Sequence, residues 1–284
     1  MESRKLHQYF LSELKLQYEP HEASVICNML FEDLLGINKR DIITHPNRII
    51  EPEGVRKMEE ALASLKQHKP VQYVIGQAWF YNLHFIVSPA VLIPRPETEE
   101  LVSLVIDFLK TSPENSLLDI GTGSGCIPIS IKKNSPHTFV SAIDISEEAL
   151  QIAGENAKTH GTEINFKRID FLNRSEWEQL PQYNVIVSNP PYIPYEEKEK
   201  LDKNVRDFEP HLALFVPNNN PLLFYEGIVA FAEEHLLAAG IIFMETHESL
   251  ASNVAALFEL HGYKATIKKD LFQKERMVVA TRCH

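Results

Sequence analysis

From residue 116 onward, short apolar runs alternate with longer helical patterns, and this alternation limits the fold more than any other feature of the chain. The apolar runs fall at 116–120, 138–144, 164–167, 184–188, 241–245, 263–268 and 277–281. Helical spacing covers 126–133, 147–160, 222–237 and 250–261. Short runs separated by helices read as strands of a parallel sheet with helices on both faces. Only Lys269 to Arg276 separates the last two runs. A parallel crossover needs a dozen or more residues, so these two strands pair antiparallel. The expected class is α/β: a doubly wound, seven-stranded sheet whose last strand is antiparallel.

Two further segments precede it. Residues 1–70 read as a small helical domain: Leu6, Tyr9, Phe10 and Leu14 follow helical spacing, as do Ile26, Met29, Leu30 and Leu34, then Val55, Met58, Ala61 and Leu65. Gly36 and the Pro46-Asn47 pair punctuate these helices. Such a module is either a plain bundle or a dock for a macromolecule. Across 71–92 the period changes, with Val71, Tyr73, Ile75 and then Leu83, Phe85, Val87 alternating around Tyr81-Asn82. That predicts a β-hairpin linker. The third domain spans 93–284, opening on Ile93-Pro94-Arg95-Pro96-Glu97-Thr98-Glu99, where Pro96 and Glu97 suit the first turn of a helix.

The totals narrow the partners. With 28 basic and 39 acidic residues the net charge is -11, which argues against a surface built to grip nucleic acid. No apolar run reaches the length a membrane helix needs. The amino terminus carries no readable leader, so a cytoplasmic protein is expected. Cys27, Cys126 and Cys283 stand apart from one another and the histidines show no ligand spacing, so neither a disulfide framework nor a metal site is expected.

Four places carry chemistry. The first strand runs into Gly121-Thr122-Gly123-Ser124-Gly125, where glycines permit a sharp turn and close approach of a ligand to the backbone. Asp144, about 20 residues on, ends the second strand and suits a ribose diol. Its alternative, a helix N-cap, belongs more naturally to Ser146. Asp170-Phe171 ends the third strand, either holding and covering an adenine ring or serving as a loop Asp and a core Phe. The fourth strand delivers Asn189-Pro190-Pro191-Tyr192. Two prolines stiffen this loop and remove two donors. The Asn189 side-chain oxygen and the Pro190 carbonyl then act as acceptors beside the flat face of Tyr192. Such a set suits a planar group bearing an NH2.

These residues resemble the class I S-adenosylmethionine-dependent methyltransferases that modify amide or exocyclic nitrogens. The Ile93-to-Glu99 segment, Pro70-Val71-Gln72-Tyr73-Val74-Ile75-Gly76 and Arg206-Asp207-Phe208-Glu209-Pro210 narrow the resemblance to the release-factor glutamine N5-methyltransferases, the HemK family, along nearly the whole chain. The resemblance implies a Rossmann-like methyltransferase fold and S-adenosyl-L-methionine as donor, with S-adenosyl-L-homocysteine as product. It implies a peptide-chain release factor as protein substrate, methylated on the glutamine of its Gly-Gly-Gln motif, with the amino-terminal helices meeting the body of that factor. By the same likeness Gly121, Thr122, Gly123, Ser124, Gly125, Asp144, Asp170 and Phe171 contact the donor. Asn189 lies between donor and substrate, and Pro190, Pro191 and Tyr192 hold the amide. Arg95 supports the donor pocket or merely shapes its own segment, and the charged stretch 195–207 borders the substrate or is a solvated loop.

An amide nitrogen is a poor nucleophile because its lone pair is delocalised into the carbonyl. Accepting both hydrogens orients that lone pair toward an electrophilic methyl, so orientation and proximity supply most of the rate. Met244-Glu245-Thr246-His247-Glu248 departs from the family pattern of Glu followed by Gly and later Gln, and no site residue is taken from it. Two other enzymes pose related chemistry: an adenine-N6 methyltransferase on DNA or RNA, and a glutamine methyltransferase on a ribosomal protein. A non-enzymatic binding protein of the same shape is the third alternative. A monomer is the default expectation.

Overall fold

The computed structural model describes residues 1–111 and 115–283; residue 284, the end of the expected third domain, lies outside them. The chain divides into two compact units, one of residues 1–77 with 202–208, the other of 78–201 with 209–284.

The first unit is helical: α1 (Ser3–Leu14), α2 (Pro20–Leu35), α3 (Lys39–Thr44), α4 (Pro52–Lys66) and α5 (Val71–Ile75). Prolines open α2 and α4, where a missing N–H costs nothing. Gly36, at φ 63°, ends α2 in the left-handed conformation. Leu6, Phe10, Leu14, Ile26, Leu30, Phe31, Met58 and Leu65 are buried together. Each fully buried side chain of this kind contributes roughly 1.5–3 kcal/mol. Tyr9, on the same predicted stripe, is exposed instead.

The alternation at 71–75 does not make a strand. Those residues form α5, between Pro70 at its start and Gly76 at φ 79° after its end. Val71, Val74 and Ile75 pack on the helical core, which is i, i+3, i+4 spacing. Over five residues the two periods cannot be told apart from the pattern alone. The hairpin begins later, with β1 (Gln77–Phe80) and β2 (Leu83–Ile86). Tyr81 and Asn82, both at positive φ, make the two-residue turn between them.

The remaining elements are α6 (Pro96–Leu109), β3 (Ser116–Ile120), α7 (Cys126–Asn134), β4 (Phe139–Asp144), α8 (Glu147–His160), β5 (Asn165–Arg168), β6 (Tyr183–Ser188), β7 (Ile193–Pro194), α9 (Lys203–Phe208), β8 (Phe215–Val216), α10 (Leu223–His235), β9 (Leu236–Glu245), α11 (Ala251–Leu260), β10 (Tyr263–Lys269) and β11 (Glu275–Arg282). Of these, α9 falls in the first unit. Among the described residues, seven strands form one sheet in the order β10-β11-β9-β6-β3-β4-β5. The pairs among β9, β6, β3, β4 and β5 are parallel, and β11 runs antiparallel to both β10 and β9. The doubly wound sheet with its antiparallel last strand is therefore the observed fold.

Successive residues of the central strands feed two separate cores. Leu118, Ile186, Ile242 and Met244 pack with α10 and α11. Leu117, Val185, Val187, Ile241 and Phe243 pack with α6, α7 and the hairpin. A sheet covered on both faces demands apolar residues at every central position, hence runs such as Val185-Ile186-Val187. The strand order reverses at β3, which lies between β4 and β6. Ligands of open α/β sheets bind beyond the carboxyl ends of the strands at such a reversal. The glycine loop follows β3 and the Asn189 loop follows β6, so the topology brings both to that place.

Candidate active site

The three glycines of the first loop have different tasks. All take positive φ: 76° at Gly121, 54° at Gly123 and 78° at Gly125. A Cβ built on Gly121 or Gly123 meets nothing within 4 Å, so the backbone there borders open space. A Cβ on Gly125 would stand 3.0 Å from Ile129 Cδ1 and 3.1 Å from Ala153 Cβ. Gly125 thus lets α7 and α8 approach, while the other two leave room for a ligand. The Gly121 and Thr122 N–H groups donate to the Ile143 carbonyl, which ties the loop to the end of β4.

Asp144 completes this cradle. Its Oδ2 accepts from the Gly123 N–H and its Oδ1 from the Ser146 N–H, both at 2.9 Å. Burial raises its pKa, and those backbone bonds partly offset the rise. The helix cap is left to Ser146, whose hydroxyl accepts from the Ala149 N–H. The carboxylate is thereby fixed in place with lone pairs to spare for a diol. Thr122 and Ser124 of the loop are buried, and Cys126 opens α7. Asp170 is half-buried, with Oδ1 accepting from the Leu172 N–H.

The Phe171 ring packs into the core. Its ring stacks on Trp177 at 5.6 Å, meets Phe231 edge-on at 5.7 Å and is only 6% exposed. It is a core side chain, and the accessible apolar neighbour is Leu172, 42% exposed. Gly227 of α10 allows the Phe171 ring to lie against the helix backbone.

In the second loop Pro190 is buried, and Asn189, Pro191 and Tyr192 are half-buried. Asn189 Nδ2 donates to Thr98 Oγ1 at 3.0 Å, and Thr98 Oγ1 donates to Glu245 Oε2 at 2.6 Å. The amide N–H is thus turned inward and its oxygen is left for another partner. The Tyr192 ring lies 5.9 Å from that of His247, tilted by 47°. Burial, with Glu245 next in effect, pushes the Tyr192 phenol up to about 12. Beyond the loop, β7 pairs in parallel with β8, and Tyr195–Lys200 forms a 3-10 turn.

Several residues of this site were not singled out from the sequence. Glu245 ends β9 beside the loop and is fully buried; burial pushes its carboxyl up to about 7. Asp119, inside β3, is wholly buried and neither oxygen has a hydrogen-bond partner of full geometry. Burial pushes it up to about 7, which the nearby Thr122 hydroxyl only partly opposes. Asn156 on α8 holds the Ile86 N–H and carbonyl and donates to the Ser124 carbonyl. Glu209 accepts from Arg95 at 2.6 Å and from the Ile93 N–H at 3.2 Å, so Arg95 shapes its own segment through that pair. A charge within an apolar strand, or an Asn on an apolar helix face, was the signal available for Asp119 and Asn156.

Comparisons with known proteins bear on the family and the fold. Residues 5–76 match the PrmC N-terminal domain and 98–206 the methyltransferase small domain. The release factor glutamine methyltransferase of Bacteroides thetaiotaomicron is 39% identical over 280 residues, 98% of this chain and 99% of that one. The enzyme of the same name from Streptococcus pneumoniae is 39% identical over 284 residues, covering 98% of each. The ribosomal protein L11 methylase of Lactobacillus delbrueckii subsp. bulgaricus superposes with a TM-score of 0.50 at 19% identity, over 70% of this chain and 84% of that one. That likeness concerns the fold alone. Matches over essentially the full length, in both units, place the chain in the release factor glutamine methyltransferase family.

Proposed function

We propose that this enzyme transfers a methyl group from S-adenosyl-L-methionine to the side-chain amide nitrogen of the glutamine in the Gly-Gly-Gln motif of a peptide-chain release factor. The observation that carries the reading is Asn189, held with its N–H inward on Thr98 at the strand-order reversal. The donor fits the residues present: open space over Gly121 and Gly123, and an Asp144 carboxylate already oriented by two N–H groups. Gly121, Thr122, Gly123, Ser124, Gly125, Asp144, Asp170 and Phe171 would hold it, and when bound it supplies an electrophilic methyl on a positively charged sulfur.

The chain's own part is orientation. The Asn189 oxygen and the Pro190 carbonyl accept the two hydrogens of the incoming amide, Tyr192 lies against its plane, and as the nitrogen gains the methyl one of those hydrogens leaves to solvent as a proton. Rotation about the amide is thereby removed before reaction, which is where most of the rate arises. Fixed dipoles of the loop cost no reorganisation as charge disappears. Pro190 and Pro191 keep the loop stiff enough to hold this geometry.

The amino-terminal helices would meet the body of the release factor, and the enzyme would work in the cytoplasm as a monomer. No helix among the described residues is long and apolar enough to cross a membrane. The test is incubation with the donor and a release factor from the same organism, followed by mass spectrometry of the Gly-Gly-Gln peptide. One methyl on that glutamine, lost in Asn189→Ala, is the expected result. Intact donor binding with methyl found only on adenine or on a ribosomal protein would overturn it.

A further inference from the structure

Asn189 offers two faces of nearly equal shape and opposite chemistry: an acceptor oxygen and a donor NH2. A loop meant to receive an NH2 group works only when the oxygen faces out. Something must therefore decide the flip. The neighbouring side chains supply the decision, although they come from distant parts of the chain: Thr98 from the first turn of α6 and Glu245 from the end of β9.

We propose that Thr98 and Glu245 are positioning residues that fix which face of the Asn189 amide meets the substrate. An ionised carboxylate only accepts hydrogen bonds. Facing Glu245 at 2.6 Å, the Thr98 hydroxyl must then donate to it. Its oxygen is left as an acceptor, and at 3.0 Å the Asn189 N–H satisfies it. The Asn189 oxygen is forced outward. Protonating Glu245 reverses the chain: the carboxyl donates to Thr98, Thr98 donates to Asn189, and the amide turns its NH2 outward. Two NH2 groups would then confront each other, and the substrate amide finds no acceptor on that side.

The groups around Glu245 set where this reversal occurs. Burial disfavours its charge most, with the Thr98 hydrogen bond and Arg276 of β11 favouring it, Glu97 of α6 disfavouring it, and Asn189 itself favouring it. Tyr192 lies near enough for its own phenol to feel Glu245. Tyr225 of α10 donates to the Glu245 carbonyl at 3.0 Å, which fixes the main chain beneath the carboxyl group. The net outcome places the carboxyl at about 7.

The inference rests on methyl transfer at the Asn189 loop, so its test needs a readout apart from turnover. The side-chain amide resonances of Asn189, assigned by their loss in Asn189→Asp, are followed by NMR on the full chain across about pH 5.5 to 8.5. They are expected to titrate in the wild type with a midpoint of about 7, to titrate with a much smaller amplitude in Thr98→Val, where only the direct Asn189–Glu245 contact remains, and to regain the full amplitude in Thr98→Ser. In parallel, kcat of Thr98→Val is expected to fall about tenfold, the weight of one lost orienting bond, with donor affinity unchanged. Glu245→Gln should remove the acid limb of the pH profile. Resonances indifferent to pH in the wild type, or Thr98→Val folded and as active as wild type, would overturn the inference. Titration of the amide in a protein that methylates no release factor supports the relay and sinks the proposed substrate instead.

Discussion

Replacing Asn156 by Ala should cost this protein more stability than any other single polar substitution on α8. The side chain is completely buried and makes three hydrogen bonds: Oδ1 accepts from the Ile86 N–H at 2.7 Å, and Nδ2 donates to the Ile86 carbonyl at 3.0 Å and to the Ser124 carbonyl at 2.9 Å. Truncation leaves three main-chain groups unpaired. Each costs about 1–3 kcal/mol where water cannot reach. The Ile86 side chain is 38% exposed, so water recovers part of the loss there. The sum is about 3–5 kcal/mol, a large share of the roughly 5–15 kcal/mol that holds an ordinary domain. At about 2–4 °C per kcal/mol for a unit of this size, Tm should drop by about 6–20 °C. Because Ser124 belongs to the glycine loop, donor affinity should fall as well. Thermal and urea denaturation followed by circular dichroism give the stability, and calorimetry gives the affinity. Asn156→Leu separates the causes, since it restores volume without hydrogen bonds and should be nearly as damaging as Ala. If both variants lose under about 1 kcal/mol, the three bonds do not carry the weight assigned to them.

Gly125→Ala should destabilise by about 2–4 kcal/mol, since it combines left-handed strain with a clash against Ile129 and Ala153. Gly123→Ala, facing open space, should cost only about 1–2 kcal/mol yet weaken donor binding; thermal melts and calorimetry on both variants separate packing from ligand contact. Asp119 has a folded pKa of about 7 against an ordinary 3.8, so between those values the folded state binds more protons than the unfolded one. Its contribution to stability is therefore full below the ordinary value, declines as pH rises toward about 7, and stays flat above. Asp119→Asn should flatten that decline and be the more stable protein at pH about 8; equal pH dependence of the two melting curves would refute this. Glu209→Ala strands Arg95 and the Ile93 N–H, and should destabilise by about 2–4 kcal/mol, with faster amide exchange at Ile93 as the local signature.

Much of this protein was legible before folding was considered. Central strands buried on both faces must be apolar at every residue, so β3, β6 and β9 announce themselves, and the glycine loop and the Asn189 loop follow their strands directly in sequence. The short link between β10 and β11 dictated their antiparallel pairing. Other features had no local signature. Residues 71–75 satisfied strand and helix periods equally, and packing on the helical core selected the helix. The packing of Phe171 on Trp177, Phe231 and Gly227 likewise had no local signature.

The polar network at the site lay furthest from view. Asn189 and Thr98 are 91 residues apart, Thr98 and Glu245 147, and Arg95 and Glu209 114. Side chains at such separations become neighbours only when the sheet orders its strands with the carboxyl ends of β3, β6 and β9 together. The sequence by itself determined most of the elements, their order and the two loops that follow β3 and β6, because periodicity and backbone permissiveness are local properties. The tertiary structure alone decided which buried carboxyl faces which hydroxyl, and so how Asn189 presents its amide, because hydrogen bonding and burial depend on neighbours that the chain supplies from afar.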